Sequence, residues 1–590
     1  MAEFHNPQQE PGMERRLLIV FALTFLVIML FQPLLKKYGP QPPAKPETSQ
    51  APQNQAQLPA QTPTEPPTRL GTQPPAARSV KAARATVPLQ AASESETVIE
   101  NDVYRIVFTN RGGRVKSWVL KKYTDDKGGP LELVNAVAAE KYGYPLTLWT
   151  YDEALRNQLN SALYVATSSG PTPPEIKFNY ANGDVSVQKT YKFDLNTYVV
   201  GVQTAVEVQG TEVTAFPMWP AGFGADMTGP QYATGQILYQ YDNKVERLAI
   251  KKISGNGTVP GPFQWAGLSD QYFAAVFMPQ DPKNAAMVTL RNAIEIPHNS
   301  SDPTNKQMDK VDVLGAAVGS LKGSTDARLY VGPKALADLQ SVAVPGITGA
   351  EPDLRAVVDF GWLGIIARPL FLWLKWMYSH IVRNWGWAIL LQTLIINLAL
   401  LPLRLSQMKS MLKMQRVAPQ IKSIQEKYKK YSLRDPKKAE MNEEISALYK
   451  KEGVNPAGGC LPLLIQMPFL FAYYRMLNVA MDLRHAPWLW IHDLSAPDPW
   501  HILPVAIIIT MFFMQRMTPQ AGVDPAQQKM MNIMMPGMLG LMSWNLPAGL
   551  GLYWSAGQLI GIVQQSVMNR TSLGREMREM MEKRARKKEK

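Results

Sequence analysis

The residues with most to say about chemistry are polar side chains set inside long apolar stretches. They are Gln392, Thr393 and Asn397 within 384–403, Gln466, Tyr474 and Arg475 within 461–481, and Thr510 and Gln515 within 501–516. Asn532 within 529–546, and Tyr553, Ser555, Gln558 and Gln564 within 548–568, complete the set. Even on insertion scales a charge at the centre of a bilayer costs about 2.5 to 3.5 kcal/mol, so such groups face one another or a wet cavity. For any single Gln or Thr, helix-to-helix hydrogen bonding worth about 0.6 kcal/mol is the simpler account. For the collection, a wet groove is the better one. Along such a groove a passing segment would keep its polar flank in water while its apolar face moves into lipid, driven by the hydrophobic effect without a nucleotide. Met530, Met531, Met534, Met535, Met538 and Met542 suit this, since unbranched thioethers adapt to many partners, although gap-filling core explains each equally well. No constellation for covalent chemistry accompanies them: there is no paired-carboxylate site, phosphate-cradling glycine loop or metal-ligand spacing. The expectation is a protein that is not an enzyme and needs no cofactor or metal.

The elements that must hold these residues follow from composition. The 590 residues exceed one ordinary domain, and a net charge of +14 is compatible with nucleic acid, anionic lipid or basic cytoplasmic loops. Cys460, the one cysteine, rules out an intrachain disulfide and has no His or Asp close by in sequence to make it a nucleophile. Residues 1–37 carry an apolar run after Arg15 and Arg16 that reads as an uncleaved anchor rather than a signal peptide, because no small-x-small site follows it. Residues 38–95, crowded with Pro, Gln, Ala and Thr, have the composition of a disordered tether that wanders roughly 40 Å. From 96 to 345 the pattern turns to period two, as in Tyr104, Ile106, Phe108 and Val200, Val202, Thr204, Val206, Val208, which predicts a mainly antiparallel two-sheet β-sandwich. Tyr142, Tyr144, Trp149 and Tyr151 would suit sugar stacking if exposed, but alternation places them in ordinary packing.

Residues 355–383 place Arg368, Lys375, Ser379 and Arg383 near one face of an otherwise apolar helix interrupted by Pro369, which fits an interfacial helix better than a span. The second span, 384–403, leads into 404–454, rich in Lys and Arg and therefore cytoplasmic. This segment predicts a helical hairpin that turns at 432–436, with Leu405, Met408 and Leu412 on one arm and Met441, Ile445 and Leu448 on the other. Its charge either fixes topology or, through Lys422, Lys429, Lys430, Arg434 and Lys437, docks a ribosome or nascent chain; the two readings stand level. Spans three to six occupy 459–568, and the tail 569–590 ends in Arg584, Arg586, Lys587 and Lys588, able to meet ribosomal RNA phosphates or anionic lipid. Without interleaved aromatics, sequence-specific nucleic-acid recognition is not expected. A six-span helical membrane bundle in this order leaves the β-domain outside and both hairpin and tail in the cytoplasm.

Asn-Pro-Ala-Gly-Gly-Cys-Leu-Pro-Leu-Leu-Ile-Gln-Met-Pro at 455–468 closely resembles the entry to the third span of the bacterial YidC family, the membrane protein insertases. Trp490-Ile491-His492-Asp493-Leu494-Ser495 with Asp498-Pro499, and Asn384-Trp385-Gly386, resemble the same family; the β-domain resembles its large periplasmic domain more loosely. The resemblance implies a multi-pass bacterial inner-membrane insertase and chaperone, acting on nascent membrane proteins alone or beside the Sec translocon. It also implies a groove arginine in the second span, where this chain has Asn397, one turn after the matching Thr393; Tyr553 and Trp554 fall where the family has two tyrosines. Arg404, two turns further on about the same face, or Arg475, are the candidates to replace it. Two other readings are a solute transporter or channel, against which the lack of internal repeats speaks, and a membrane-anchored periplasmic binding module, which would need one span and no polar residues in five.

Overall fold

The computed structural model describes residues 88–168, 174–224, 234–297, 307–347, 352–431, 435–454, 461–517 and 525–572, together with 574–576 and 579. The anchor predicted within 1–37, nearly all of the tether, and Arg434, 455–460, Arg584, Arg586, Lys587 and Lys588 lie outside the described residues. The chain divides into a β-rich unit, reaching Gly332 and including Val344–Pro352, and a helical unit made of Pro333–Ala343 and the chain from Asp353.

Period two in the β-rich unit does mark strands. Val200, Val202, Thr204 and Val206 are buried while the residues between them are half-buried. The strands form three sheets, of four, ten and five strands, where the sequence pattern predicts two. Alternation says which face of a strand is buried, not which neighbour it takes, and the extra sheet comes from that second choice. The middle of the largest sheet pairs Glu175–Asn182, Val185–Phe193, Val199–Val208 and Thr325–Pro333, antiparallel throughout. The five-stranded sheet is built on the long hairpin of Ala285–Pro297 with Met308–Ser320. Most of the aromatic cluster is packing: Trp149 is buried against Phe216, Tyr142 donates its hydroxyl to the Ala293 carbonyl at 2.6 Å and Tyr144 lies under Arg114, whereas Tyr151, edge-on to Trp149, is exposed.

One charge sits inside this unit. Lys189 is fully buried, and its Nζ donates to the carbonyls of Gly112 at 2.6 Å, Leu146 at 2.9 Å and Gly113 at 3.4 Å. The turn that aims two of those carbonyls inward has φ +70° at Gly112 and +52° at Gly113, and a Cβ on Gly112 would lie 2.7 Å from the Asn160 carbonyl oxygen. Three carbonyls for three N–H donors satisfy the amine, but burial pushes its pKa down to about 7.

In the helical unit, α1 (Gly364–His380), α2 (Trp385–Ala399), α3 (Leu401–Lys427), α4 (Lys437–Lys451), α5 (Leu461–Val479), α6 (Ile502–Met517), α7 (Pro525–Met542) and α8 (Ala548–Arg570) follow in order. The sequence places the end of the second span at 403, whereas the helix breaks at Leu400. Pro402, which has no N–H for the Leu398 carbonyl, stands just inside α3, and α2 and α3 meet at 47°. Among the described residues no single helix is both long and apolar enough to cross a membrane; only the bent pair α2 and α3 reaches that length and composition, together. The cause is the polar content that drew attention in the sequence. Helix α5 carries Gln466, Tyr473, Tyr474, Arg475 and Asn478, α8 carries three glutamines, and α6 is 16 residues long.

Their outward faces are nonetheless apolar. Ile502, Val505, Ile509 and Phe513 on α6, Leu559, Val563 and Val567 on α8, and Ile365, Leu372 and Trp376 on α1 are all exposed, at helical spacing. Apolar outside and polar inside is the reverse of a water-facing helix.

The hairpin seam lies towards the far part of α3. Val417, Ile421 and Val454 pack with Met414, Ile445, Leu448 and Tyr449, whereas Met408 and Leu412 pack against Met568 of α8. Arm α4 has 15 residues against 27 in α3, so it covers only the far part of the longer arm and the base is left to the bundle.

Lys189 makes the stability of the β-rich unit depend on pH. Below about 7 the amine is protonated folded and unfolded; from there to the ordinary lysine value of 10.5, only the unfolded chain keeps the proton, so stability rises with pH. Pulse proteolysis of the full chain in urea, in detergent, should show a midpoint that climbs between pH 7 and 9, and a flatter profile for Lys189→Met.

Candidate functional site

The site is built from the Asn384 end of α2 downwards. Asn384 caps the helix by accepting from the Trp387 N–H at 3.2 Å, and its Nδ2 donates to the Pro487 carbonyl at 3.0 Å. Gly386 is where the Trp488 ring lies against the backbone of α2; any Cβ there would run into the ring. The Asn384-Trp385-Gly386 motif is thus a cap, a ring stacked on Tyr378 at 4.1 Å, and a gap for Trp488. The Trp490 to Asp498 motif is a folded loop. Buried Asp498 accepts from the Trp490 indole at 3.1 Å and from the N–H groups of Trp500 and Leu503, while Leu494 and Ala496 carbonyls receive the first N–H groups of α8.

Halfway along α2, Gln392 is fully buried. Its Nε2 donates to the Leu370 carbonyl of α1 at 3.0 Å and its Oε1 accepts from the Tyr473 hydroxyl of α5. The Tyr473 ring stacks on Tyr553 of α8, centroids 4.0 Å apart and planes 12° apart. Further along, Thr393 Oγ1 donates to the Ile389 carbonyl at 2.7 Å, and Asn397 Nδ2 to the Thr393 carbonyl at 2.8 Å. Arg404, half-buried, then donates from Nη2 to Asn397 Oδ1 at 2.9 Å and from Nη1 to Gln564 Oε1 of α8 at 2.8 Å, while Gln564 Nε2 returns a bond to the Asn397 carbonyl at 3.2 Å. Gly561 allows this approach: a Cβ there would stand 2.9 Å from Arg404 Nη1. Among the described residues no carboxylate pairs with Arg404.

Of the residues singled out in the sequence, the structure brings Gln392 to Tyr553 through Tyr473, and Asn397 to Arg404. It places Arg475 elsewhere, in an ion pair with Asp359 at 3.2 Å beside the entry to α1, matched by Lys375 with Asp482 at 3.1 Å. Gln466, Tyr474, Trp554 and Gln558 are half-buried, and Asn532 on α7 keeps a buried Oδ1 without a protein partner. Sequence reasoning chose Tyr474 where Tyr473 is the residue in the network. Tyr473 lies seven residues after Gln466 and belongs to the buried stripe Ala472, Tyr473, Met476, Leu477, Ala480, a spacing that would have found it. On the hairpin, Lys430 and Lys437 flank the Tyr431 ring at 5.3 and 5.1 Å, and Lys422 meets Glu426 at 3.5 Å; Arg416 pairs with Glu576, joining α3 to the chain beyond α8.

Residues 376–575 match the family described as 60Kd inner membrane protein, and residues 96–373 match the YidC periplasmic domain. The chain belongs to the YidC family. A membrane protein insertase YidC of Cupriavidus necator is 33% identical over 489 residues, 80% of this chain and 83% of its own length. That of Syntrophus aciditrophicus is 30% identical over 577 residues, 95% of this chain and 100% of its own. A crystal structure described as an active YidC insertase with its first transmembrane domain resolved is 20% identical, covers 82% of this chain and 95% of that one, and has a TM-score of 0.35. Within this YidC chain, the arginine in contact with the second helix comes from position 404, seven residues beyond Asn397.

The Gly386 contact gives a direct check. Gly386→Ala should lower the thermal midpoint in detergent, on the order of the 1 to 3 kcal/mol that overpacking costs. Trp488→Leu in the same chain should recover part of that loss, because the clash is with the ring.

Proposed function

We propose that the chain inserts nascent membrane proteins from the cytoplasm into the inner membrane, as insertase and chaperone, along the polar groove of α2, α3 and α8. The helices cross as six spans, counting the anchor within 1–37, with the β-rich unit in the periplasm and the hairpin and tail in the cytoplasm. The reaction is transfer between phases rather than covalent catalysis, and it runs alone or beside the Sec translocon. Ribosome and anionic lipid are met by the basic hairpin and tail.

The observation that supports this most is the half-buried Arg404 guanidinium, held by the neutral amide oxygens of Asn397 and Gln564 with no carboxylate among the described residues. A cation fixed in place and left without a counter-charge has capacity for an acidic group on a passing segment, and low local dielectric strengthens that attraction. Helix exteriors lined with exposed Leu, Ile, Val and Phe then offer the segment an apolar exit into lipid.

Purified protein in liposomes, with a small single-span protein translated outside and its protease-protected fragment scored, tests the reading. Protection should exceed that of empty liposomes. For substrates with acidic tails Arg404→Gln should reduce it roughly tenfold, the order of one charge-assisted hydrogen bond, with Arg404→Lys between the two. Equal protection by Arg404→Gln and the natural chain would remove Arg404 from the mechanism; protection no better than empty liposomes, with and without the Sec partner, would favour a transporter.

A further inference from the structure

A groove that admits water from one side of a bilayer needs a floor, or the protein leaks ions. We infer that the layer formed by Gln392, Tyr473 and Tyr553 is that floor, a permeability seal across the bundle. This rests on the reading of the Asn397–Arg404 region as water-filled from the cytoplasm.

The three side chains are 0%, 0% and 4% exposed and come from three different helices. Gln392 ties a fourth, α1, through the Leu370 carbonyl, so one amide joins three helices at one level and the ring stack adds α8. Its orientation is forced. The carbonyl can only accept, so Nε2 faces Leu370 and Oε1 is left for the Tyr473 hydroxyl. The stacked rings of Tyr473 and Tyr553 extend that level across the interior at 4.0 Å.

Packing differs on the two sides of the layer. Towards the Asn384 end, Ala388, Ile389, Met476 and Leu477 have no exposed surface, and a Cβ on Gly549 would meet Leu477 Cδ2 at 3.3 Å and Ile389 Cδ1 at 3.5 Å. Towards the Arg404 end, a Cβ on Gly557 would find only Asn397 Nδ2 at 3.8 Å and Thr393 Cγ2 at 3.9 Å. Asn397 is five residues, about 7.5 Å of helix, beyond Gln392. Polar groups therefore stand on one side of the layer, loosely packed at Gly557, and close-packed apolar groups on the other. Two hydrogen bonds and a ring stack make the boundary rigid while leaving no polar atom of Gln392 unpaired for water to follow.

The test uses the full chain in liposomes with a trapped pH dye and a Cys460→Ser background. Proton leak should be low for the natural layer and roughly tenfold faster for Tyr473→Ala, the factor that losing one buried hydrogen-bond partner makes in a two-state equilibrium. Gln392→Leu combined with Tyr473→Phe, an apolar pair of similar volume, should stay tight. A membrane-impermeant maleimide on the cytoplasmic side should label Asn397→Cys and leave Ala388→Cys unlabelled, a readout that decides the matter even where Tyr473→Ala does not fold. A tight Tyr473→Ala protein, or labelling of Ala388→Cys, overturns the seal while the groove stands. An unlabelled Asn397→Cys overturns the groove reading, and the seal with it.

Discussion

Inside an apolar bundle a polar side chain has no water to fall back on, and the helical unit is arranged around that constraint. Packing of Leu against Leu is non-directional and tolerates a helix rotated or shifted by part of a turn. Hydrogen bonds do not. Gln392 must reach Leu370 on α1 and Tyr473 on α5 at once, and Arg404 of α3 must reach Asn397 on α2 and Gln564 on α8, so the rotation and depth of five helices are set by a handful of bonds. Glycine favours the second set, since a Cβ at Gly561 would stand 2.9 Å from Arg404 Nη1.

Which parts of this were legible in sequence follows from the same distinction. Gln392, Asn397 and Arg404 could be picked out because an amide or a cation in an apolar run is costly and so needs an explanation. Tyr473 could not be separated from Tyr474 by composition. Only the face of the helix distinguishes them, and the seven-residue step from Gln466 to Tyr473 is the signal for that face. Periodicity marks the hairpin arms but not which part of the long arm is covered, because the unequal lengths of α3 and α4 decide that. In the β-rich unit the alternation in Val199–Val208 gave strand and buried face; the count of sheets depended on edge pairing, which alternation does not encode. The sequence reads spans three to six over 459–568, yet among the described residues none of α5, α7 and α8 is by itself long and apolar enough to cross, since the polar groups that make the interior lower the average along each helix.

Two of the enclosed cations among the described residues, Lys189 and Arg404, are treated in opposite ways. Lys189 has three N–H donors and three carbonyls around it, supplied by the Gly112-Gly113 turn and Leu146, so nothing is left over for a ligand and the charge is purely architectural. Arg404 has five N–H donors, of which Asn397 and Gln564 take one each. Both acceptors are neutral, so they orient the guanidinium without cancelling its charge. A carboxylate in either place would hold the arginine more firmly and would also spend the charge. Neutral amides fix direction and preserve attraction, which is the combination a transient binding point requires: strong enough to be found by an acidic group, and free enough afterwards to release it.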